Sequence, residues 1–189
     1  MKILIETSAR HIHLSEKDLQ CLFGDEYKLT KKKELSQPGQ FVCFEKVNIV
    51  GPKNTINGVS VLGPIRQNTQ VEVSLTDARK LGISVPVRRS GNLSGTPGCK
   101  LVGPKGELEI ESGVIAAKRH IHISTKTANE NGLYENQNVI VRVKTDDRPL
   151  LFGDVIVRVN DKFNDVMHID TDESNAAGIF KPEYGEIIL

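Results

Sequence analysis

The sequence predicts a mainly β chain with short α-helices, built by internal duplication. Two observations carry this. The 16 glycines and 8 prolines among 189 residues divide the chain into short β-branched runs, which suit strands and tight turns. The stretch Arg10-His11-Ile12-His13-Leu14-Ser15 also has a twin, Arg119-His120-Ile121-His122-Ile123-Ser124, and the segments after the two copies share one grammar.

Composition narrows the classes. A chain of 189 residues can bury a core in one or two domains. Its formal net charge of +1 argues against a nucleic-acid partner and against an electrostatically held membrane surface. No apolar run approaches the roughly 20 residues that a bilayer-spanning helix needs, and Met1–Ile5 is too short for a signal-peptide core. Cys21, Cys43 and Cys99 show no Cys-X-X-Cys spacing, which speaks against a disulfide framework or a cysteine-rich zinc site. A reduced, cytoplasmic protein is the expectation.

In order, a strand at Lys2–Glu6 leads into the first His pair. Ser15 caps a helix from Glu16 to about Phe23, with Gly24 as its stop. Lys31, Lys32 and Lys33 read as a solvated edge. Pro38-Gly39 turns the chain into a strand at Gln40–Val50, Gly51-Pro52-Lys53-Asn54 forms a loop, and Asn57-Gly58 signals a turn. Val59–Leu62 is a strand, and Thr69–Val73 alternates like a half-buried one. Ser74 caps a helix that Gly82 ends. Residues 85–113 are turn-rich and contain a hairpin around Gly103-Pro104-Lys105-Gly106. From Val114 the pattern returns: a strand with the second His pair, a helix capped by Ser124, strands at Gln137–Val143 and Leu151–Val159, and a helix between Asp170 and Gly178. This divides the chain into a first half at 1–84, a connecting region at 85–113 and a second half at 114–189.

Four of the five histidines sit in the two pairs. Strand residues i and i+2 project from one face, so each pair can offer two imidazoles to one metal, while the intervening Ile faces the core. Imidazole suits Zn, Cu, Fe or Ni. Aligning Gly178 with Gly82 places Asp170 on Ser74 and His168 on Glu72. Each half then offers three ligands: His11, His13 and Glu72, and His120, His122 and His168. Three protein ligands with one position open is the pattern of a catalytic zinc site.

Arginines repeat too. Arg66 lies six residues before Glu72, and Arg158 ten before His168. A guanidinium grips phosphate oxygens in pairs, so a phosphate-bearing or phosphate-accepting substrate fits, as ordinary solvated arginines also would. Arg88-Arg89-Ser90-Gly91-Asn92 combines guanidiniums, a hydroxyl and a flexible glycine, a mix that can form an anion-binding concavity. Cys99 lacks a spare histidine as its base and reads as a bystander rather than a nucleophile.

Ser8-Ala9-Arg10-His11-Ile12-His13-Leu14-Ser15, Gly63-Pro64-Ile65-Arg66-Gln67-Asn68-Thr69-Gln70-Val71-Glu72, Arg88–Asn92, Gly103–Gly106 and Arg119–His122 together resemble the PduL-type phosphotransacylases, the phosphate propanoyltransferases. The resemblance runs through nearly the whole chain in order. It implies two β-barrel domains capped by short helices, two zinc ions, and reversible transfer of a short acyl group, acetyl or propanoyl, between coenzyme A and inorganic phosphate. By this likeness His11, His13 and Glu72 would hold one zinc and His120, His122 and His168 the other. Arg66 would act at the phosphate, helped by Arg89, Ser90 and Arg158. Thr7, Ser8, Lys53, Ser60 and Asn175 would line the coenzyme A path. The sequence is compatible with a homo-oligomer.

Two departures from that family stand out. Microcompartment-associated members often carry an N-terminal targeting extension, whereas ten residues precede His11 here, so the cytoplasm is expected rather than a microcompartment lumen. Asn92 also stands where an acidic residue would be expected. A rival reading is a binuclear metallohydrolase acting on a phosphoester or thioester, which would want ions about 4 Å apart with a bridging carboxylate. The sequence offers no evident bridge. A non-catalytic metal-binding module is a further alternative, disfavoured by the open fourth positions and the arginines.

Overall fold

The computed structural model describes residues 1–188. The first half supplies β1 (Lys2–Thr7), β2 (His11–His13), α1 (Glu16–Phe23), β3 (Lys31–Glu34), β4 (Phe41–Val50), β5 (Thr55–Gly63), β6 (Gln70–Glu72) and α2 (Leu75–Leu81). The turn-rich middle adds β7 (Val87–Arg88), β8 (Cys99–Val102) and β9 (Glu107–Ile110). The second half holds β10 (Val114–Ala117), β11 (His120–Ile123), α3 (Thr125–Glu130) and β12 (Asn138–Val143). It continues with β13 (Leu150–Val159), β14 (Val166–Ile169), α4 (Thr171–Ala177) and β15 (Glu183–Ile188).

All four helices among the described residues start where a side chain can satisfy the first free N–H groups. Ser15, Ser74 and Ser124 accept from the backbone of Asp18, Asp77 and Thr127, and Asp170 forms a reciprocal capping box with Glu173. Gly82 and Gly178 end α2 and α4 in the left-handed conformation.

The chain forms two compact units. One contains residues 1–9, 36–38 and everything from Lys118 onward; the other contains Arg10–Leu35 and Gly39–Ala117. This partition differs from a simple cut near residue 84 or 114, and the cause is a pair of exchanged leading strands. β1 precedes the first His strand yet pairs with β14 and β15; β10 precedes the second His strand yet pairs with β6 and β7.

Within each unit one five-strand pattern recurs. β10-β6-β2-β5-β4 matches β1-β14-β11-β13-β12, with the same parallel and antiparallel senses at every step. Beyond the fifth strand the two patterns diverge. β15 pairs with both β12 and β1 and closes a six-stranded barrel. Its counterpart β8 pairs with β4 and then with β9 rather than returning to β10, so this nine-stranded sheet stays open. The duplicated β architecture is present, with one barrel closed and the other left as a curled sheet. The lysine run forms β3, exposed along its length and paired with β4.

Alternation fills both interiors. Ile3, Ile5, Ile121, Ile123, Val141, Val143, Val157 and Met167 line the closed barrel. Ile12, Val47, Ile49, Val59, Val61 and Val71 pack with Leu19 and Leu22 of α1 in the other unit. Each fully buried aliphatic side chain contributes about 1.5–3 kcal/mol.

Two local readings are corrected. Asn57-Gly58 makes a bulge inside β5, not a turn. The register passes from Val47 opposite Val59 to Ile49 opposite Ile56, so the β5 side carries an extra residue. Gly58 takes φ +66° there and donates its N–H to Asn48 Oδ1 at 2.8 Å. The chain reverses earlier, where Gly51 N–H donates to the Asn54 carbonyl. β6, expected to be half-buried, is buried at all three residues, because β2 and β10 flank it on either side. At Gly98 a Cβ would meet the Ile110 carbonyl oxygen at 1.7 Å. We expect Gly98→Ala to lower unfolding free energy by about 3 kcal/mol, read as a reduced denaturant midpoint.

Candidate metal centres and an anion cradle

In the open-sheet unit, antiparallel pairing of β2 with β6 puts His11 directly opposite Glu72. His13 follows two residues on, and Ile12 between them is wholly buried in the core. The ligand atoms of His11, His13 and Glu72 all lie within 4.8 Å of one another. His11 Nε2 stands 3.4 Å from Glu72 Oε2. The other carboxylate oxygen, Oε1, accepts from Gln70 Nε2 at 2.5 Å and from Ser90 Oγ at 2.9 Å. Glu72 is therefore held by one oxygen while the other faces the imidazoles, the arrangement in which outer partners orient a metal ligand.

Burial, then the neighbouring charges of His11 and Arg66, lower the His13 pKa to about 3. At neutral pH His13 is thus neutral, the form that binds a metal. Burial works to raise the Glu72 pKa, but its electrostatic interaction and hydrogen bond with His11, and the hydrogen bond from Ser90, prevail and keep it ionised. His13 Nδ1 is buried without a hydrogen-bond partner among the described residues. An orphaned buried imidazole nitrogen is costly, and a metal ion would satisfy it.

The second cluster is built the same way in the closed-barrel unit. β11 and β14 set His120 opposite His168, with His122 two residues further along. The rings of His120, His122 and His168 stand 4.6–5.4 Å apart, centroid to centroid, and their ligand atoms lie within 4.8 Å of one another. His120 Nδ1 lies 2.8 Å from the Lys118 carbonyl, so it carries the hydrogen and leaves Nε2 as the donor. Burial, with the charges of His120, His168 and Arg158, lowers the His122 pKa to about 2, and His122 Nδ1 is the counterpart orphan. Both clusters fit a divalent cation by donor type, protonation state and spacing.

Arg66 reaches the first cluster. Its backbone N–H donates to the Leu14 carbonyl, its Nη1 donates to Ser90 Oγ at 3.3 Å, and its charge acts on His13. Ser90 Oγ also accepts from Gln70 Nε2 at 2.8 Å, and Gly91 N–H donates to Gln70 Oε1 at 2.7 Å. The loop that carries Arg89 and Ser90 is thereby tied to the candidate metal ligand Glu72. Arg158 instead belongs with the second cluster, its guanidinium 6.0 Å from the Phe163 ring centre and its charge acting on His122. Ser60 lies beside His11 in the neighbouring strand, and Lys53 N–H donates to the Leu81 carbonyl, both in the open-sheet unit. Thr7 Oγ1 donates to Ser174 Oγ, Ser8 N–H donates to the Ile169 carbonyl, and Asn175 lies on α4, all in the closed-barrel unit. Burial pushes the Cys99 thiol up to about 12, so it stays protonated.

Two residues near the clusters were not anticipated. Gln70, two residues before Glu72, shares its strand face, and that spacing was the available signal. Glu6 Oε2 lies 3.6 Å from His168 Nε2; it is far from the second His pair in sequence, and only the exchanged strand brings it there.

Fold and clusters together define a duplicated β protein with two candidate metal centres, one beside an arginine–serine cradle suited to an oxyanion. The family model for phosphate propanoyltransferase matches residues 4–180. The phosphate propanoyltransferase of Thermotoga maritima is 53% identical over 175 residues, covering 93% of this chain and 83% of that protein. Those of Listeria monocytogenes and Salmonella typhimurium are each 49% identical, covering 97% and 95% of this chain and 86% and 85% of theirs. The chain belongs to the phosphate propanoyltransferase family and is an acyltransferase. No helix among the described residues is long and apolar enough to cross a membrane.

Proposed function

We propose that this chain is a zinc-dependent phosphate acyltransferase, moving a propanoyl or acetyl group reversibly between coenzyme A and inorganic phosphate. The observation that carries the reading is the assembly at the first cluster, where Gln70 and Ser90 bond the carboxylate that faces His11 and His13, and Arg66 is tied to it through Ser90. Zn2+ held by His11, His13 and Glu72, with a second ion on His120, His122 and His168, would supply Lewis acidity toward the thioester carbonyl or the leaving sulfur.

The side chains do the rest. The Arg66 guanidinium binds two phosphate oxygens and turns a third toward the acyl carbon. Arg89 adds charge to the cradle, and Ser90 keeps Arg66 in place. Arg158 adds positive potential at the second cluster. A phosphate oxygen bonds the acyl carbon, the carbon–sulfur bond breaks, and coenzyme A leaves as its thiolate. Positioning both reactants can supply several kcal/mol of the barrier, of the roughly 7–11 kcal/mol available to ideal alignment. Thr7, Ser8, Lys53, Ser60 and Asn175 are the proposed coenzyme A contacts. No acyl-enzyme is invoked, which the protonated state of Cys99 supports. Three free cysteines support a reducing, cytoplasmic setting.

Thiol release from propanoyl-CoA or acetyl-CoA should require phosphate and yield an acyl phosphate that hydroxylamine traps. Equal rates without phosphate, with free acid as the only product, would make the chain a metal-dependent hydrolase instead.

A further inference from the structure

We propose that Arg10 and Arg119 are positioning residues for the two metal centres. Each clamps an acid on the helix that follows its centre's third ligand, and so holds the His-pair strand in register with the strand bearing that ligand. The inference rests on the metal reading above and extends it to the residues that place the donors. Arg10 directly precedes His11, and Arg119 directly precedes His120. Asp77 lies five residues after Glu72, and Glu173 five after His168. Arg10 Nη1 donates to both carboxylate oxygens of Asp77, at 3.0 and 3.2 Å. Arg119 Nη1 donates to Glu173 Oε1 at 2.6 Å.

Both acids occupy the third position of their helix, where the caps already bind the backbone: Ser74 accepts from Asp77 N–H, and Asp170 from Glu173 N–H. A carboxylate in a first helical turn is favourable without a partner. Capping therefore accounts for the acids but not for the arginine that meets each of them. Arg119 also donates from Nε to the Gly153 carbonyl at 2.8 Å, on β13, the other neighbour of β11. Its guanidinium lies 5.9 Å from the centre of the Phe152 ring. Phe152, Ile121 and Ile123 belong to the barrel core, and Arg119 shares the alternation of the two isoleucines. The clamp thus sits on the core side of the sheet and acts on the histidines through the backbone.

The short ladders explain why a clamp is needed. β2 pairs with β6 over three residues, and β11 with β14 over three. Burial of one face excludes a one-residue slip, which would turn every side chain to the wrong side. A two-residue slip keeps every side chain on its own face, so burial does not exclude it. It would carry Glu72 or His168 roughly 7 Å along the strand from its histidine partner. An arginine at the start of one strand, paired with an acid just beyond the end of the other, favours the single register in which the donors meet.

The functional consequence is preorganisation. Each trio of donors converges to within 4.8 Å by the fold itself, so an ion meets a site already formed.

The test uses two full-length single-site chains: His120→Ala, which keeps the first centre, and His11→Ala, which keeps the second. Each is titrated with Co2+ alone against a chromophoric chelator, with circular dichroism confirming the fold. Arg10→Ala should weaken Co2+ binding about tenfold and shift the d–d absorption at the first centre, leaving the second as it was. Arg119→Ala should do the reverse. Arg10→Lys should recover most of the loss, because one nitrogen makes both bonds to Asp77. Arg119→Lys should recover less, because Nε and Nη1 donate in different directions. Where an alanine variant fails to fold, Asp77→Asn and Glu173→Gln remove the charge of the pair, keep the caps, and should move the bands of the same centre alone. A pair that only staples its helix lowers the urea midpoint and leaves affinity and bands at the adjoining centre unchanged. That result, or equal weakening of both centres, overturns the proposal while leaving the metal reading intact. Failure of either single-site parent to take up Co2+ overturns both.

Discussion

Arg66→Ala should cut phosphate-dependent turnover about a hundredfold, the effect of losing one charge-assisted contact of about 3 kcal/mol next to developing charge. Arg66 is anchored by its backbone to Leu14 and by its side chain to Ser90, and Ser90 bonds Glu72. The guanidinium is therefore fixed relative to the first cluster before phosphate arrives. Arg66→Lys should keep fold and metal but weaken phosphate saturation, because an ammonium cannot grip two oxygens at once. The apparent affinity for acyl-CoA should move much less in both variants. Steady-state kinetics with each substrate varied in turn separates these effects. If phosphate saturation is unchanged in Arg66→Ala but abolished in Arg158→Ala or Arg89→Ala, the phosphate site lies at the second cluster or in the loop.

Metal content carries the other large effect. The two donor clusters predict about two zinc ions per chain in protein purified without chelator. His11→Ala and His120→Ala should each remove about one, measured by elemental analysis. A count of one in the replete parent chain would refute two equivalent clusters, and an unchanged count in either variant would return that pair to a packing role. Chelation should abolish turnover, and Zn2+ should restore it.

Much of this was legible in the sequence, for identifiable reasons. Ser15, Ser74, Ser124 and Asp170 each cap a helix by a contact within three residues, so local spacing sufficed. The His pairs were visible because strand geometry alone puts i and i+2 on one face. Glu72 and His168 emerged from aligning the two halves, and they do sit opposite His11 and His120. The exchange of β1 and β10 was hidden, since nothing local to Lys2–Thr7 says that its partner lies at Val166–Ile169. Glu6 was missed for the same reason. Asn57-Gly58 misled because the φ > 0 preference of an Asn-Gly pair serves a bulge as well as a turn. Barrel closure was equally illegible, depending as it does on where β15 and β8 find their second partners.

The exchanged strand also sets an order of assembly in time. β1 is synthesised well before its neighbours β14 and β15. At about 5–20 residues per second the gap is roughly ten to forty seconds. Over that interval Ile3, Leu4 and Ile5 have no sheet to join, and the flanking charges of Lys2 and Glu6 guard the segment against pairing with another nascent chain. The other unit suffers no such delay: its strands are complete once Ala117 has emerged. The strands carrying His11, His13 and Glu72 are therefore complete while His168 is still unsynthesised.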